Sequence, residues 1–534
     1  MASDEFVLST LVAKHALERP GEVAIDSVED GALTWRELHE SGLAWAGALR
    51  RLGVGRGDCV LSMIPTGHGA YAAWLGASAA GACDVHVNHA LLGQSLVDVV
   101  ATTGARFAFI DSAFLDRWRP MLQRGLEAIV VVDGSSAEEG RVLNLEELLK
   151  DSQPLDQEVG QTGEDLACVI FTSGTTGSAK GVMLPWDAWA FAHSRAGAVP
   201  RSLRQDKVAY VPFSLAHYSG RFPLYAAACE GIRICTRRGF KTDRWLADIR
   251  DLGAQWTSLL GGMGRFLLNT APQPDDAENP LEFVIAAPVF PGIDQFRERF
   301  GIGKVHTSYG QSEITVVFSS AGAYEVSEET MEYCGVPSSS VEVELIDKNG
   351  LPVELGLTGE MIVRPKGGTL SVGYLNNPEA TASTYRDGWI HTGDLFSRTW
   401  DGKYRFVDRK NDYLRRRGEN ISSFEVEREV LTFPAVRECA VYGVRSEFTE
   451  DDVMVAVVVD TERWVSPEAL IEFLQGRLPS FAIPRYVELF DCLPKTATER
   501  VKKVQLRERG VSATTWDRMG EVEAGLSSGK GEVR

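Results

Sequence analysis

Apolar residues in the first 160 or so positions alternate between the helical and the strand period, and nothing else in the chain restricts its fold as much. Leu11 to Leu17 reads as a helix ended near Pro20, and Trp35 to Leu52 as an amphipathic helix ended by Gly53. Cys59 to Ile64 reads as a buried strand, followed by a small-residue helix and a further strand at Arg106 to Asp111. The rhythm returns at Lys207 to Val211, Trp245 to Leu252 and Phe283 to Ala286. Alternation of this kind predicts an α/β architecture with mostly parallel strands.

After Gly335 the texture changes to short β-rich runs, Val341 to Ile346 and Gly359 to Val363, separated by Gly and Pro, which predicts a small β subdomain. A second change comes at Asp408 to Arg417, DRKNDYLRRR. A compact α+β pattern follows. It has a helix opened by Ser422 and Glu425 at capping-box spacing, strands at Glu438 to Val444 and Val453 to Val459, a helix opened by Ser466 and Pro467, and a strand at Tyr486 to Phe490. The domain boundary is placed near Asn411. The expected organisation is a large domain over 1–410, a small α+β domain over 411–511 and a frayed tail over 512–534.

With 534 residues the chain has material for three or four units at about 150 residues each. Its formal charge of −19 argues against a general affinity for nucleic acid or anionic membrane. The eight cysteines include no CxxC pair and are expected to be buried thiols in a reducing cytoplasm; the nine histidines include no HExxH. Asp4 and Glu5 stand where a signal peptide carries basic residues. The uncharged stretch Ala70 to Cys83 is too short for a span, which takes about 20 apolar residues. A soluble cytoplasmic protein with no membrane span is expected.

The most informative segment is Phe171 to Pro185, FTSGTTGSAKGVMLP. A strand at Leu166 to Thr172 runs into a loop of hydroxyls with Gly174, Gly177 and Lys180. Glycines let backbone N–H groups approach phosphate oxygens, hydroxyls add donors and the lysine adds charge, which suits a nucleotide triphosphate. The spacing departs from GxxxxGK[ST], because Lys180 comes three residues after Gly177 and precedes Gly181. The bland alternative is a flexible Gly/Ser/Thr hairpin.

This segment resembles the phosphate loop of the adenylate-forming superfamily of acyl-CoA synthetases, peptide-synthetase adenylation domains and luciferases. Further signatures follow in order: SYGQSE at Ser308 to Glu313, GYLNNPEAT at Gly373 to Thr381, DGWIHTGDL at Asp387 to Leu395, and DRKNDYLRRRGENISSFEVE at Asp408 to Glu427. The texture is closest to bacterial acyl-CoA ligases of the crotonobetaine/carnitine type. The resemblance implies a large N-terminal domain of two α/β subdomains plus a small β subdomain, and a smaller mobile α+β C-terminal domain.

It also implies the chemistry. A carboxylate attacks the α-phosphate of Mg·ATP to give an acyl adenylate and pyrophosphate; a thiol, usually CoA, then takes the acyl group. Thr172, Ser173, Gly174, Thr175, Thr176, Gly177 and Lys180 would hold the β and γ phosphates. Tyr309 would pack on adenine, with Gly310, Gln311 and Ala287 beside the nucleotide. Ser312, where the family more often has Thr, would contact the α-phosphate. Glu313 would hold Mg²⁺ together with Thr176, and Asp394 and Arg409 would bind the ribose. Asn411 falls at the family's hinge, and Gly418 would line the thiol tunnel. A carboxylate is a natural ligand for Mg²⁺, and Asp394 can accept from two vicinal hydroxyls. In isolation either acid would read as a surface residue.

One departure is near the C-terminus. LPKTATERVKK, Leu493 to Lys503, aligns with the family's LPKTxxGKxxK, but Glu499 replaces the glycine and Arg500 the catalytic lysine. Arg presents a wide planar fork in place of a compact ammonium. Three readings compete: Arg500 does the job, Lys502 or Lys503 substitutes, or the substrate makes the lysine dispensable.

The acyl pocket implied by the resemblance draws on VPFSLAHYSGRF, TSLLGGMGRF and AAP. His217 matches a gate position and is otherwise a structural histidine. Gly261, Gly262 and Gly264 are expected to leave space. Arg221 and Arg265 are surface arginines unless one points inward, in which case the substrate is small or polar, anionic or aromatic. The leading expectation is an acid–CoA ligase using ATP, Mg²⁺ and CoA. The alternatives are adenylation without CoA, such as a diazotase activating nitrite for an aryl amine in secondary metabolism, and an inactive nucleotide-binding homologue. Two basic clusters, Arg409 to Arg417 and Lys495 to Arg509, mark where polyanionic small molecules would bind despite the acidic total.

Overall fold

A computed structural model of the chain describes residues 3–134, 140–172, 180–196, 201–260, 262–410, 412, 414–416, 419–446, 451–463, 466–495 and 501–520. The chain gathers into two compact units, one of Met1–Glu344 and Ile362–Thr392, the other of Leu345–Met361 and Gly393–Arg534.

The first unit holds two seven-stranded sheets. In one the order is Val142–Asn144, Ala128–Val131, Phe107–Ile110, Cys59–Met63, Cys83–His86, Leu166–Thr172 and Lys180–Pro185. Neighbours are parallel except the last two strands, which are antiparallel. The other runs Lys304–His306, Phe283–Ala287, Trp256–Leu260, Ala209–Val211, Ile234–Thr236, Val23–Ser27 and Gly31–Thr34, again parallel up to a final antiparallel pair. Phe107–Ile110 and Ala128–Val131 are buried at every residue, as strands covered on both faces must be.

Local chemistry sets the helix ends. Thr34 accepts from the Glu37 amide at 3.3 Å while the Glu37 carboxylate accepts from the Thr34 amide at 2.8 Å, a capping box contributing about 1 kcal/mol to the helix Trp35–Arg51. The small-residue helix is His68–Ala80, and its Trp74 stacks on Trp186 with ring centroids 6.3 Å apart. Among the described residues no helix is long and apolar enough to cross a membrane. Of the eight cysteines expected to be buried, Cys83, Cys168 and Cys235 are, Cys59, Cys229, Cys334 and Cys439 are half-buried, and Cys492 is exposed.

The β-rich runs after Gly335 form the strands Val341–Ile346 and Gly359–Pro365. In the second unit a four-stranded sheet orders Val436–Arg445, Asp451–Val459, Tyr486–Leu489 and Trp516–Asp517. One face packs on the helices Ser423–Leu431 and Pro467–Leu474, capped by Ser422 and Ser466; the other packs on Leu493 and Leu506. The stretch expected to fray from Ser512 is therefore structured at its start. Arg485 holds Asp517 through two bonds of 3.0 Å, and the hydroxyls of Ser512, Thr514 and Thr515 donate to the buried carboxylate of Glu488. Side-chain polar bonding of this kind leaves no apolar period to read. Residues 521–534 lie outside the described ones.

Candidate active site

The phosphate-loop strand Leu166–Thr172 buries Ala167 through Ile170 and ends with Thr172 opposite Lys180, whose carbonyl accepts from the Thr172 hydroxyl at 3.4 Å. Ser173, Gly174, Thr175, Thr176 and Gly177 lie outside the described residues. The exit strand Lys180–Pro185 is extended by the segment around Tyr374: the Met183 amide donates to Gly373 at 2.9 Å and the Leu375 amide to Gly181 at 2.8 Å. This pairing sets Lys180 Nζ 5.0 Å from the centroid of the Tyr374 ring. The Tyr374 hydroxyl donates to Glu313 Oε1 at 2.8 Å, and burial, followed by the Glu313 carboxylate, pushes its pKa up so that it stays a donor. One tyrosine thus carries an ammonium on its face and a carboxylate at its hydroxyl.

Glu313 follows the strand Ser308–Gln311, which pairs antiparallel with Thr315–Ser319. A Cβ on Gly310 would collide with the Thr315 carbonyl, so this position admits only glycine. Tyr309 leans on Phe318 with ring centroids 5.8 Å apart, and Gln311 Nε2 donates to the Thr392 carbonyl at 3.1 Å. Ser312 and Glu313 are half-buried in the turn. The Ser371 hydroxyl donates to the Glu313 carbonyl. Main chain and side chain of Glu313 are therefore both held, by Ser371 and Tyr374, neither of which carried a role in the sequence reading. Tyr374 was signalled by its place in GYLNNPEAT; Ser371 was not signalled.

In the second unit Asp394 and Arg409 are register partners, with Nε 3.5 Å from Oδ1 and Asp394 buried. Asn411, Gly418 and Arg500 lie outside the described residues. Lys495 and Val501 pair in an antiparallel bridge. Lys502 is exposed. Lys503 is committed elsewhere: its Nζ lies 2.8 Å from Glu427 and donates to Ser423 Oγ at 2.6 Å. Burial alone would lower its pKa, but Glu427, Asp408 and Asp412 outweigh it and hold the ammonium charged. A lysine so engaged is a poor replacement for the missing one.

On the acyl side His217 stands at the N-cap position of the helix Tyr218–Glu230 without a side-chain capping bond, and its Nε2 is 2.7 Å from Asn88 Nδ2. One turn further Arg221 points inward with none of its surface exposed, which corrects the surface reading. Its Nη2 donates to Asp84 at 2.5 Å, its Nε to the Leu215 carbonyl at 2.5 Å, and its guanidinium lies 4.8 Å from the Trp74 ring centroid. Gly262 and Gly264 do not leave the expected space. The Phe290 ring fills the place where a Gly264 Cβ would sit, and Phe266 comes within 3.1 Å of the Gly262 position. Gly261 lies outside the described residues. Arg265 and Ala287 are half-buried, on the helix Met263–Leu268 and at the end of the strand Phe283–Ala287.

The AMP-binding enzyme family model matches residues 12–375, and that of the AMP-binding enzyme C-terminal domain matches residues 425–500. The chain belongs to the AMP-binding enzyme family. It is an ATP-dependent, AMP-forming ligase of the acyl-CoA synthetase type. A medium/long-chain-fatty-acid–CoA ligase of Mycobacterium tuberculosis is 32% identical over 359 residues, covering 65% of this chain and 68% of that protein. The crotonobetaine/carnitine–CoA ligase of Proteus mirabilis is 26% identical over 487 residues, covering 89% and 93%. The amide bond synthetase McbA from Marinactinospora thermotolerans superposes with a TM-score of 0.79 at 25% identity, covering 94% of the ligase and 99% of McbA.

Proposed function

We propose that this ligase activates a small or aromatic carboxylic acid as its acyl adenylate and transfers the acyl group to CoA. In the first step a carboxylate oxygen bonds to the α-phosphorus and the bond to pyrophosphate breaks. In the second the thiol sulfur bonds to the acyl carbon and AMP leaves.

The observation that carries this reading is the convergence of Lys180 and Glu313 on Tyr374. Lys180, with the loop from Thr172, would bind the β and γ phosphates, and Tyr309 would stack on adenine. Among the described residues no group of three or more His, Cys, Asp or Glu could hold a metal by itself. A lone carboxylate beside a triphosphate fits Mg²⁺, which is bound by one or two carboxylates plus substrate phosphates. Glu313 would hold it, with Thr176, and bound there it would neutralise charge on the phosphates. Asp394 and Arg409 would take the ribose, Gly418 would line the thiol path, and Asn411 would serve as the hinge between domains. Arg500 is the first candidate to bridge carboxylate and α-phosphate, with Lys502 second.

Phe290 and Phe266 occupy space beside Gly264 and Gly262, which favours a short or flat acid over a long chain. A second reading, transfer to an amine in place of CoA, is favoured by the likeness to an amide bond synthetase. The relatives named above are CoA ligases and an amide bond synthetase, which lends nitrite as a substrate no support.

Pyrophosphate release from Mg·ATP should be measured with benzoates, short acids and long-chain acids, with CoA, with an amine and with neither. Thioester formation from benzoates or short acids is expected. Turnover confined to long chains overturns the substrate class, and acyl transfer to amine alone overturns the acceptor. Glu313→Gln should slow pyrophosphate release on the order of 100-fold, with the fold retained by circular dichroism.

A further inference from the structure

Beneath His217 four polar side chains meet inside the first unit: Ser62, Asp84, His86 and Arg221, all buried. They come from two neighbouring strands, Cys59–Met63 and Cys83–His86, and from the helix Tyr218–Glu230. The strand and helix meet at two levels. At the outer level Asn88, just past the strand, lies against His217, and both are half-buried. At the inner level Asp84 and His86 lie below the helix turn that carries Arg221, four residues after His217 and so on the same helix face.

The bonding at the inner level is incomplete. Arg221 uses Nη2 on Asp84 and Nε on Leu215, and Trp74 lies against the guanidinium. His86 Nδ1 is 2.9 Å from Ser62 Oγ. Arg221 Nη1 and His86 Nε2 are buried and make no hydrogen bond of good geometry, although the Ile64 backbone acts weakly on the His86 ring. Buried polar atoms in native proteins are rarely left so, and each one calls for a partner. The charges say what kind. Burial alone would lower the Arg221 pKa, but Asp84 outweighs it; burial likewise pushes Asp84 up against the pull of Arg221, and the 2.5 Å contact makes the two an ion pair, formally neutral as a unit. Burial and Arg221 hold His86 well below the usual imidazole range, hence uncharged. A second anion here would meet the Asp84 carboxylate with no spare cation, whereas a neutral hydrogen-bonding group would meet unused hydrogen-bonding capacity.

We propose that Arg221 Nη1 and His86 Nε2 receive an uncharged polar substituent of the acyl group, so that the ligase selects an acid bearing a hydroxyl, amide or nitro group over a plain hydrocarbon acid or a diacid. This rests on the ligase reading above and narrows its substrate class. Arg221 and His86 are then specificity-determining residues, and His217 stands at the approach to them.

The test is kcat/KM for pyrophosphate release on size-matched acids: 4-hydroxybenzoate against 4-methylbenzoate, 4-nitrobenzoate against terephthalate, and 5-hydroxypentanoate against hexanoate. The wild-type enzyme should prefer the neutral polar member of a pair by about tenfold or more. The ratio should collapse towards one in Asp84→Leu/Arg221→Met, which removes the ion pair as a unit, and should shrink in His86→Phe. Equal rates within every pair in the wild type mean that the two atoms hold only water and overturn the proposal, whether or not the double variant folds. A preference that survives in a folded variant overturns it as well, and a preference for the diacid overturns the neutral class. Pyrophosphate release with no acid at all removes the ligase reading itself, and the proposal with it.

Discussion

Arg221 in the first unit and Lys503 in the second are both cations held largely out of water, and they differ in how far their surroundings answer them. Lys503 meets Glu427 and Ser423 with Asp408 and Asp412 nearby, and its side chain keeps 14% of its surface exposed, so water can reach it. Arg221 has no exposure and one nitrogen without an acceptor. An ammonium rotates its three donors on a flexible stem, whereas a guanidinium presents five in a rigid fork. A fold can satisfy a buried lysine with one helix end. Satisfying a buried arginine takes acceptors on every side, and the missing side is where a ligand can be read.

The largest effect expected from this contrast is on stability. Arg221→Met leaves Asp84 a buried carboxylate without its counter-ion and should cost about 3–5 kcal/mol in denaturant unfolding. Asp84→Leu added to it should recover most of the loss, because removing both charges removes the desolvation penalty too. A single variant as stable as wild type would break the comparison.

Lys503→Met should cost less, about 1–3 kcal/mol, since Glu427 and Asp408 retain other donors and some water. Hydrogen exchange along the strand Asp451–Val459 should rise, while exchange along Cys83–His86 stays as it was. Equal losses at both strands would show that the two cations are not local.

The smallest expected effect is a pair of opposed pH slopes. Burial pushes Asp408 up to about 6, against the pull of Lys503, the Arg409 amide and the amide and hydroxyl of Ser423. With a folded pKa above the unfolded one, the native state binds the extra proton, so this group favours folding increasingly as pH falls from about 6 towards 4. His86 has the opposite sign: its folded pKa is depressed, so its contribution is present above about 6.5 and is lost as pH falls. The Tm difference between wild type and Asp408→Asn should therefore move in favour of wild type on acidification. The difference against His86→Phe should move against it. Parallel slopes would remove the distinction.

Much of the fold was legible because it depends on local period. The strand Leu166–Thr172 and the helices opened by Ser422 and Ser466 stand where apolar runs and caps placed them. The start of the last strand was not legible, since Trp516–Asp517 is held by Arg485 and by hydroxyls on Glu488, without an apolar repeat. At the candidate site the ordered motifs singled out Lys180 and Glu313 as candidates, but not that Tyr374 joins them. The direction of Arg221 was also hidden. It depends on Asp84, which lies 137 positions earlier, and an arginine followed by Phe222 and Pro223 reads equally well as exposed. The glycines misled for a related reason: a missing Cβ makes room, and the sequence does not show that Phe290 takes it.

The first unit is completed only after the chain has left it for residues 345–361 and returned at 362. Tyr374, which Lys180 and Glu313 share, belongs to that returning segment. A ribosome adding about 5–20 residues per second takes roughly 10–40 s to pass from Lys180 to Tyr374. During that interval the strand Lys180–Pro185 has no Gly373 or Leu375 to bond to. An exposed sheet edge in a nascent chain is open to adventitious strand pairing, so the motif that completes the candidate nucleotide site also closes an edge during synthesis. Silent changes that slow translation between positions 180 and 374 would lengthen that exposure without altering a single side chain.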